Sequence, residues 1–195
     1  MNALADRRVD ELLASIGAKT PAPGGGAVTG LVGAIAVALA RMVVGYSVDS
    51  KKLADHREAL TRAAERLDAH RESLVRLGDR DAEAYGRYNA MAKDDPARVE
   101  AARACIDVPL AVIRACVTLM GLYRDLAPIS NRYLRSDLAI ASILTEAAAR
   151  GSMCNVRINL PLLDDDASAD AAREEGESGL RECARLLPGV LGACA

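Results

Sequence analysis

Asp81 stands where an apolar residue is due. Leu53, Leu60, Leu67 and Leu74 recur every seven residues, and the next two steps of that row are Asp81 and Tyr88. A seven-residue step stays on one face of a packed helix. If the helix runs unbroken past Gly78, the carboxylate points where the leucines point, a costly place for a charge unless something binds it. In a low dielectric its field is strong and its pKa rises toward neutrality, which suits proton transfer and the stabilisation of a cation. The plain alternative is an aspartate paired with an arginine, or one that caps a helix after a kink at Gly78. Asp79, two residues away, faces elsewhere on a continuous helix. Asp137 is a second candidate, four residues before Ala141 and seven before Leu144 on another apolar side. Ser136-Asp137 also reads simply as a helix start.

Other polar groups have the right types for binding. Thr20-Pro21-Ala22-Pro23-Gly24-Gly25-Gly26 is too rich in proline and glycine to be helical, and a helix follows it. Free N–H groups at such a helix start hold a carboxylate or carbonyl, and glycine lets backbone approach a flat ring. A tight turn plus helix packing explains the same residues. Lys51 and Lys52 fall at the end of that helix, where cations complement its dipole. Asn155 and Asn159, spaced i and i+4, share a helical face and can both donate and accept, although helix-end capping explains them nearly as well. His56 and His70 are 14 residues apart on one expected helix, about 21 Å at 1.5 Å per residue. They cannot share a metal within a subunit, and with no Cys/His cluster no metal site is expected.

Elements must position these groups, and apolar spacing is helical nearly everywhere, with no convincing alternation for a sheet. A short amphipathic helix is expected over residues 4–16, closed by Gly17. The stretch Ala27–Val48 is almost continuously apolar with Arg41 its only charge, long enough for the roughly 20 residues of a membrane span. Arg41, Thr29, three interior glycines and no aromatic anchor before Tyr46 argue instead for a central helix, surrounded by others or buried at a subunit interface. A third helix is expected over Lys52–Met91. Asp95-Pro96 reads as an N-cap followed by proline at the first helical position, leading into the row Val99, Ile106, Ile113, Met120. Pro109 should kink or interrupt that helix, and Pro128 close it. A fifth pattern starts near Asn131. Asp164-Asp165-Asp166 reads as a solvated loop before a last helix over about residues 168–187.

The 195 residues fit a single domain, 1–195, with a sizeable core. A net charge of −2 removes the attraction that a nucleic-acid or anionic-membrane binder needs. With no Phe, no Trp and five Tyr, base-stacking platforms are excluded and Ala, Leu, Val and Ile must fill closely packed helices. Five scattered cysteines without a CxxC pair read as reduced thiols in a reducing compartment. Met1–Arg8 is charged and no apolar h-region follows, so a cytoplasmic location is expected.

The chain resembles the formiminotetrahydrofolate cyclodeaminase and methenyltetrahydrofolate cyclohydrolase family. Four motifs in order carry the resemblance: Pro21-Ala22-Pro23-Gly24-Gly25-Gly26; Lys51-Lys52; Asp81-Ala82-Glu83-Ala84-Tyr85; and Ser136-Asp137-Leu138 followed by Asn155-Val156-Arg157-Ile158-Asn159. It spans roughly residues 10–165. Ala27 stands where the family often has Ser or Thr, Tyr133 where a second Asn follows the one matched by Asn131, and Tyr85 where an aromatic, usually Phe, is expected. The resemblance implies an all-α multihelical bundle of about six helices, a homodimer and a folate substrate with no further cofactor. It implies Asp81, Asp137 and Lys51 as catalytic. Pro23, Gly24, Gly25, Gly26, Lys52, Tyr85, Asn131, Asn155 and Asn159 are implied as substrate-binding, with one of Lys51 and Lys52 binding a glutamate tail or assisting proton transfer.

Both family reactions pass through a tetrahedral carbon between N5 and N10 of tetrahydrofolate, and each needs proton transfer and stabilised positive charge. The chain as read carries no formiminotransferase unit, which favours the hydrolytic opening of the methenyl bridge over ring closure with loss of ammonia. A non-catalytic helical dimer, using its leucine rows only for assembly, is the alternative of another class.

Overall fold

Glycine decides where the helices cross. The computed structural model describes residues 3–195, so Met1, the start of the charged segment Met1–Arg8, and Asn2 lie outside the described residues. Six α-helices account for most of it: α1 (Val9–Ile16), α2 (Gly25–Val48), α3 (Arg57–Ala90), α4 (Ala97–Leu126), α5 (Arg135–Asn159) and α6 (Asp166–Cys194). Short 3-10 turns lie at Leu4–Asp6, Lys51–His56, Ala127–Ile129, Arg132–Leu134 and Leu160–Leu162, and no strand occurs among the described residues. The fold is all-α, as the helical spacing predicts.

α2 packs chiefly against α3 and α5. A Cβ placed on Gly30 would sit 2.8 Å from the Leu74 carbonyl oxygen and 3.0 Å from the Gly78 nitrogen, and one on Gly78 would sit 3.2 Å from the Ala27 carbonyl oxygen. The two helices therefore touch backbone to backbone. Contacts run from Gly33 against Leu74, through Gly30 against Gly78, to Gly26 against Asp81, so α2 and α3 are antiparallel. α5 meets α2 in the same sense, with Gly33 near Ala148, Thr29 against Gly151 and Gly25 against Asn155.

The leucine row forms as its period requires. Leu60, Leu67 and Leu74 are fully buried, each burial contributing about 1.5–3 kcal/mol against leaving the side chain in water. Leu53 falls in the 3-10 turn, where its φ of −113° and ψ of 19° are not helical, so α3 begins at Arg57 and not at the expected Lys52. α3 does run unbroken past Gly78. Ile106, Ile113 and Met120 of α4 enter the core, whereas Val99 is exposed in the helix's first turn. α6 covers α4 and α5 through Cys183, Leu186 and Val190.

Several expectations are corrected. The single helix expected over residues 4–16 is split, because extended backbone at Arg7 and Arg8 parts the turn Leu4–Asp6 from α1. Pro109 does not interrupt α4, because packing against α3, α5 and α6 on both sides of it outweighs one lost backbone bond. Pro96 is itself the N-cap, and Asp95 caps from one residue earlier, its carboxylate accepting from the Ala97 N–H at 2.9 Å. α6 begins two residues sooner than the expected span and runs through Pro188 to Cys194. α2 and Ala97–Ile129 are long and apolar enough to cross a bilayer, with 50% and 61% of their apolar windows buried inside the bundle. α2 is not surrounded: Ile35, Met42 and Tyr46 share an open face, beside Ile140 and Ile143 of α5.

Alanine substitutions separate crossing from propensity. Gly30→Ala should destabilise by about 1–3 kcal/mol, because the new methyl meets backbone that cannot yield. Gly86→Ala on α3, where nothing lies within 4 Å of the added carbon, should stabilise by about 0.5–1 kcal/mol. Denaturant midpoints read both, and two shifts of the same sign would contradict the crossing geometry.

Candidate functional site

The α2–α3 crossing carries Asp81 to the first turn of α2. One turn beyond Gly78, its carboxylate lies so close to Gly26 that any β-carbon there would overlap it. A side chain at position 26 would therefore displace the carboxylate from the start of α2. The carboxylate accepts the Ala27 main-chain N–H, one of the donors that a helix start leaves unpaired. Burial raises the Asp81 pKa above the ordinary carboxylate value, and the Ala27 bond offsets only part of this. The capping reading and the reactive reading therefore describe one arrangement.

Asp81 opens on a cleft of about 520 Å³, within the size range of small-molecule sites. The glycine loop supplies Gly24, Gly25 and Gly26 together with Pro21 and Ala22. α3 adds Tyr85 and Tyr88, and α5 adds Asn155 and Asn159. Asn155 Nδ2 is buried with no hydrogen-bond partner among the described residues, beside Gly25. A buried unpaired donor costs free energy and marks a place for a ligand acceptor. Asn159 is partly committed, its Nδ2 donating to the Cys105 carbonyl at 2.9 Å.

The other expected site residues lie elsewhere in the chain's own fold. Lys51 and Lys52 are exposed beyond the far end of α2, whose 24 residues span about 36 Å. Asn131 and Asp137 lie at that far end too. The Asn131 N–H donates to Ser47 Oγ at 2.9 Å, and its side chain caps the turn before α5 by accepting from the Tyr133 N–H at 3.1 Å. Asp137 occupies the first turn of α5. Within one protomer, these four do not meet Asp81. Pro23 is buried in the loop and does not line the cleft, whereas Pro21 and Ala22 do. Asp79 accepts the Leu4 N–H at 2.9 Å and so ties down the N-terminal segment.

Tyr88, Asn89, Cys105 and Ile158 also line the cleft without having been singled out for binding. Tyr88 was legible as the next step after Asp81 in the seven-residue row. Cys105 was not, because only the packing of α4 brings it there. Its thiol is pushed up by burial and by the Asp81 charge, which keeps it protonated.

These groups make a candidate small-molecule site in an all-α domain: a raised-pKa carboxylate on a helix N-terminus, inside a cleft carrying two tyrosines and two asparagines. The chain belongs to the formiminotransferase-cyclodeaminase family, whose sequence profile matches residues 8–178. It is 32% identical over 179 residues to the formimidoyltransferase-cyclodeaminase of Sus scrofa, covering 86% of this chain and 33% of that protein. Against the Rattus norvegicus protein of the same name the identity is 30% over 202 residues, covering 97% and 37%. The chain thus spans about a third of the length of these curated relatives. The crystal structure of a formiminotetrahydrofolate cyclodeaminase from Thermotoga maritima superimposes with a TM-score of 0.93 at 28% identity, covering 98% of this chain and 97% of that one.

The raised Asp81 pKa has a stability consequence. The folded state holds this proton more tightly than the unfolded chain. The group's stabilising contribution is therefore complete below the unfolded value of about 3.9 and is lost as pH rises through the folded value. Asp81→Asn should melt at or above the wild-type temperature at pH 7, with the gap closing as pH falls toward 4. A variant that melts clearly lower at pH 7 would show that the charge stabilises α2 more than its burial costs.

Proposed function

We propose that the chain catalyses ring closure of 5-formiminotetrahydrofolate to the 5,10-methenyl compound with release of ammonia. The observation that carries this reading is the Asp81 carboxylate, pushed up by burial and seated on the first turn of α2 inside the cleft. N10 attacks the formimino carbon, forming a tetrahedral centre between two ring nitrogens, and the carbon–nitrogen bond to the departing amine then breaks. The formimino group reacts as its amidinium cation, so the single proton lost by N10 is the one the amine gains to leave as neutral ammonia, and one carboxylate of raised pKa can carry it across. As an anion it also faces the positive charge that remains on the methenyl bridge. Asn155 Nδ2 suits a pterin acceptor, and Tyr85 and Tyr88 suit the flat rings. These steps move protons only and require no cofactor.

The hydrolytic reading, preferred on the sequence, gives way here. That preference rested on the extent of the chain, which carries no chemistry. The named relatives and the superimposable structure are cyclodeaminases, and their likeness supports ring closure. The five free cysteines, three of them buried, suit a reducing cytoplasmic setting.

We further infer a homodimer. Ile35, Met42 and Tyr46 on α2 and Ile140 and Ile143 on α5 make a continuous apolar face between the two ends of α2. A second copy laid antiparallel on that face covers it. The same arrangement carries Lys51, Lys52, Asn131 and Asp137 of each chain toward the other's cleft, the four residues that a single chain leaves apart from Asp81.

Purified protein given 5-formimino- and 5,10-methenyltetrahydrofolate separately should release ammonia from the first as methenyl absorbance grows. Asp81→Asn should keep its fold and lose about 10²–10⁴ in kcat. Loss of methenyl absorbance alone would restore the hydrolase, and turnover of neither substrate would leave a non-catalytic helical dimer. Mixing Asp81→Asn with a Lys51→Ala/Lys52→Ala variant tests sharing. If each weak variant repairs the other across a two-fold interface, equal mixing recovers about a quarter of wild-type activity, since half the dimers are mixed with one intact site each. No recovery would confine the site to one chain.

A further inference from the structure

Arg98, in the first turn of α4, does not line the cleft, yet it grips a residue that does. Its guanidinium carbon lies 4.0 Å from the centroid of the Tyr88 ring. Its Nη1 donates to the Tyr88 carbonyl at 3.2 Å and to the Met91 carbonyl at 2.8 Å. Tyr88 is in the last turn of α3, which ends at Ala90, and its carbonyl otherwise accepts only the Met91 N–H, at 3.4 Å. One planar side chain therefore ties off two carbonyls and covers one face of the ring, so that backbone and ring of Tyr88 are held together. A tyrosine in a terminal turn is otherwise free to fray and to change rotamer, and a wall that moves must be ordered again when a ligand binds. The other link between these helix ends, Arg87 to Glu100 at 3.6 Å, is exposed on both sides and contributes little.

We propose that Arg98 is a positioning residue for the substrate: it fixes Tyr88 as the aromatic wall of the cleft. The proposal rests on the folate reading above. Arg98 acts on ground-state binding of the flat rings and leaves the Asp81 chemistry alone, so its loss moves KM and spares kcat.

The test measures Kd for 5-formyltetrahydrofolate by calorimetry, together with KM and kcat, in wild type, Arg98→Ala, Arg98→Lys, Tyr88→Leu and the Arg98→Ala/Tyr88→Leu double variant. Arg98→Ala should weaken Kd and raise KM about three- to tenfold, with kcat within about twofold of wild type. Arg98→Lys keeps the charge but not the planar fork and should fall on the same side, which decides the matter if the alanine variant does not fold. The double variant should bind no worse than Tyr88→Leu alone, because Arg98 acts through that ring. Wild-type affinity in both Arg98 variants, or losses that add in the double variant, would overturn the proposal. Wild-type protein that binds no folate would instead bring down the folate reading, and this proposal with it.

Discussion

The whole arrangement depends on how closely α2 can be approached. Gly30 and Gly78 let α2 and α3 meet at backbone distance, and Gly26, one turn earlier, leaves a gap that the Asp81 carboxylate fills. A β-carbon at Gly30 would push α3 away, and one at Gly26 would take the carboxylate off the helix start. The same small-residue logic brings α5 alongside, so that Asn155 stands at Gly25 while Ala148 stands near Gly33. Helix crossing and site construction are one steric event.

That event explains how a carboxylate tolerates its surroundings. Placed on a leucine row, Asp81 loses water and its pKa rises, while the Ala27 N–H and the positive end of α2 limit the penalty. The residual strain is chemical capacity: a group not fully content as an anion is a good proton carrier. Around it the cleft is neutral and flat-walled, with tyrosines from α3 and amides from α5. α3 supplies both the carboxylate and the aromatic rings because its residues 81, 85 and 88 recur at helical spacing along one side.

The polar groups at the opposite end of α2 follow a different logic. Lys51, Lys52, Asn131 and Asp137 surround the C-terminal end of the helix, where Asn131 is engaged in local capping and with Ser47. In the proposed homodimer, the exposed apolar side chains between the two ends of α2 would be where a second copy brings these residues to a cleft. A helix that is apolar almost all round is explained when neighbours cover it, and α2 packs chiefly against α3 and α5, leaving Ile35, Met42 and Tyr46 exposed.

The seven-residue row by itself determined that a long helix would pack its leucines on one face, and that Asp81 would join that face if the helix ran on past Gly78. Period is a local property, written into consecutive residues, so the helices, the buried leucines and the misplaced carboxylate were all legible. The glycine loop likewise announced a helix start. Tertiary packing alone decided what Asp81 would meet. Whether it paired with an arginine or with a helix N-terminus turned on which backbone could approach α3, a question of contacts between residues some 50 positions apart. Cys105 entered the cleft, Arg98 took hold of Tyr88, and Lys51 was parted from Asp81 for the same reason. Spacing along one helix fixes a face, but the distance between faces is set by the side chains missing from the helices that lie between them.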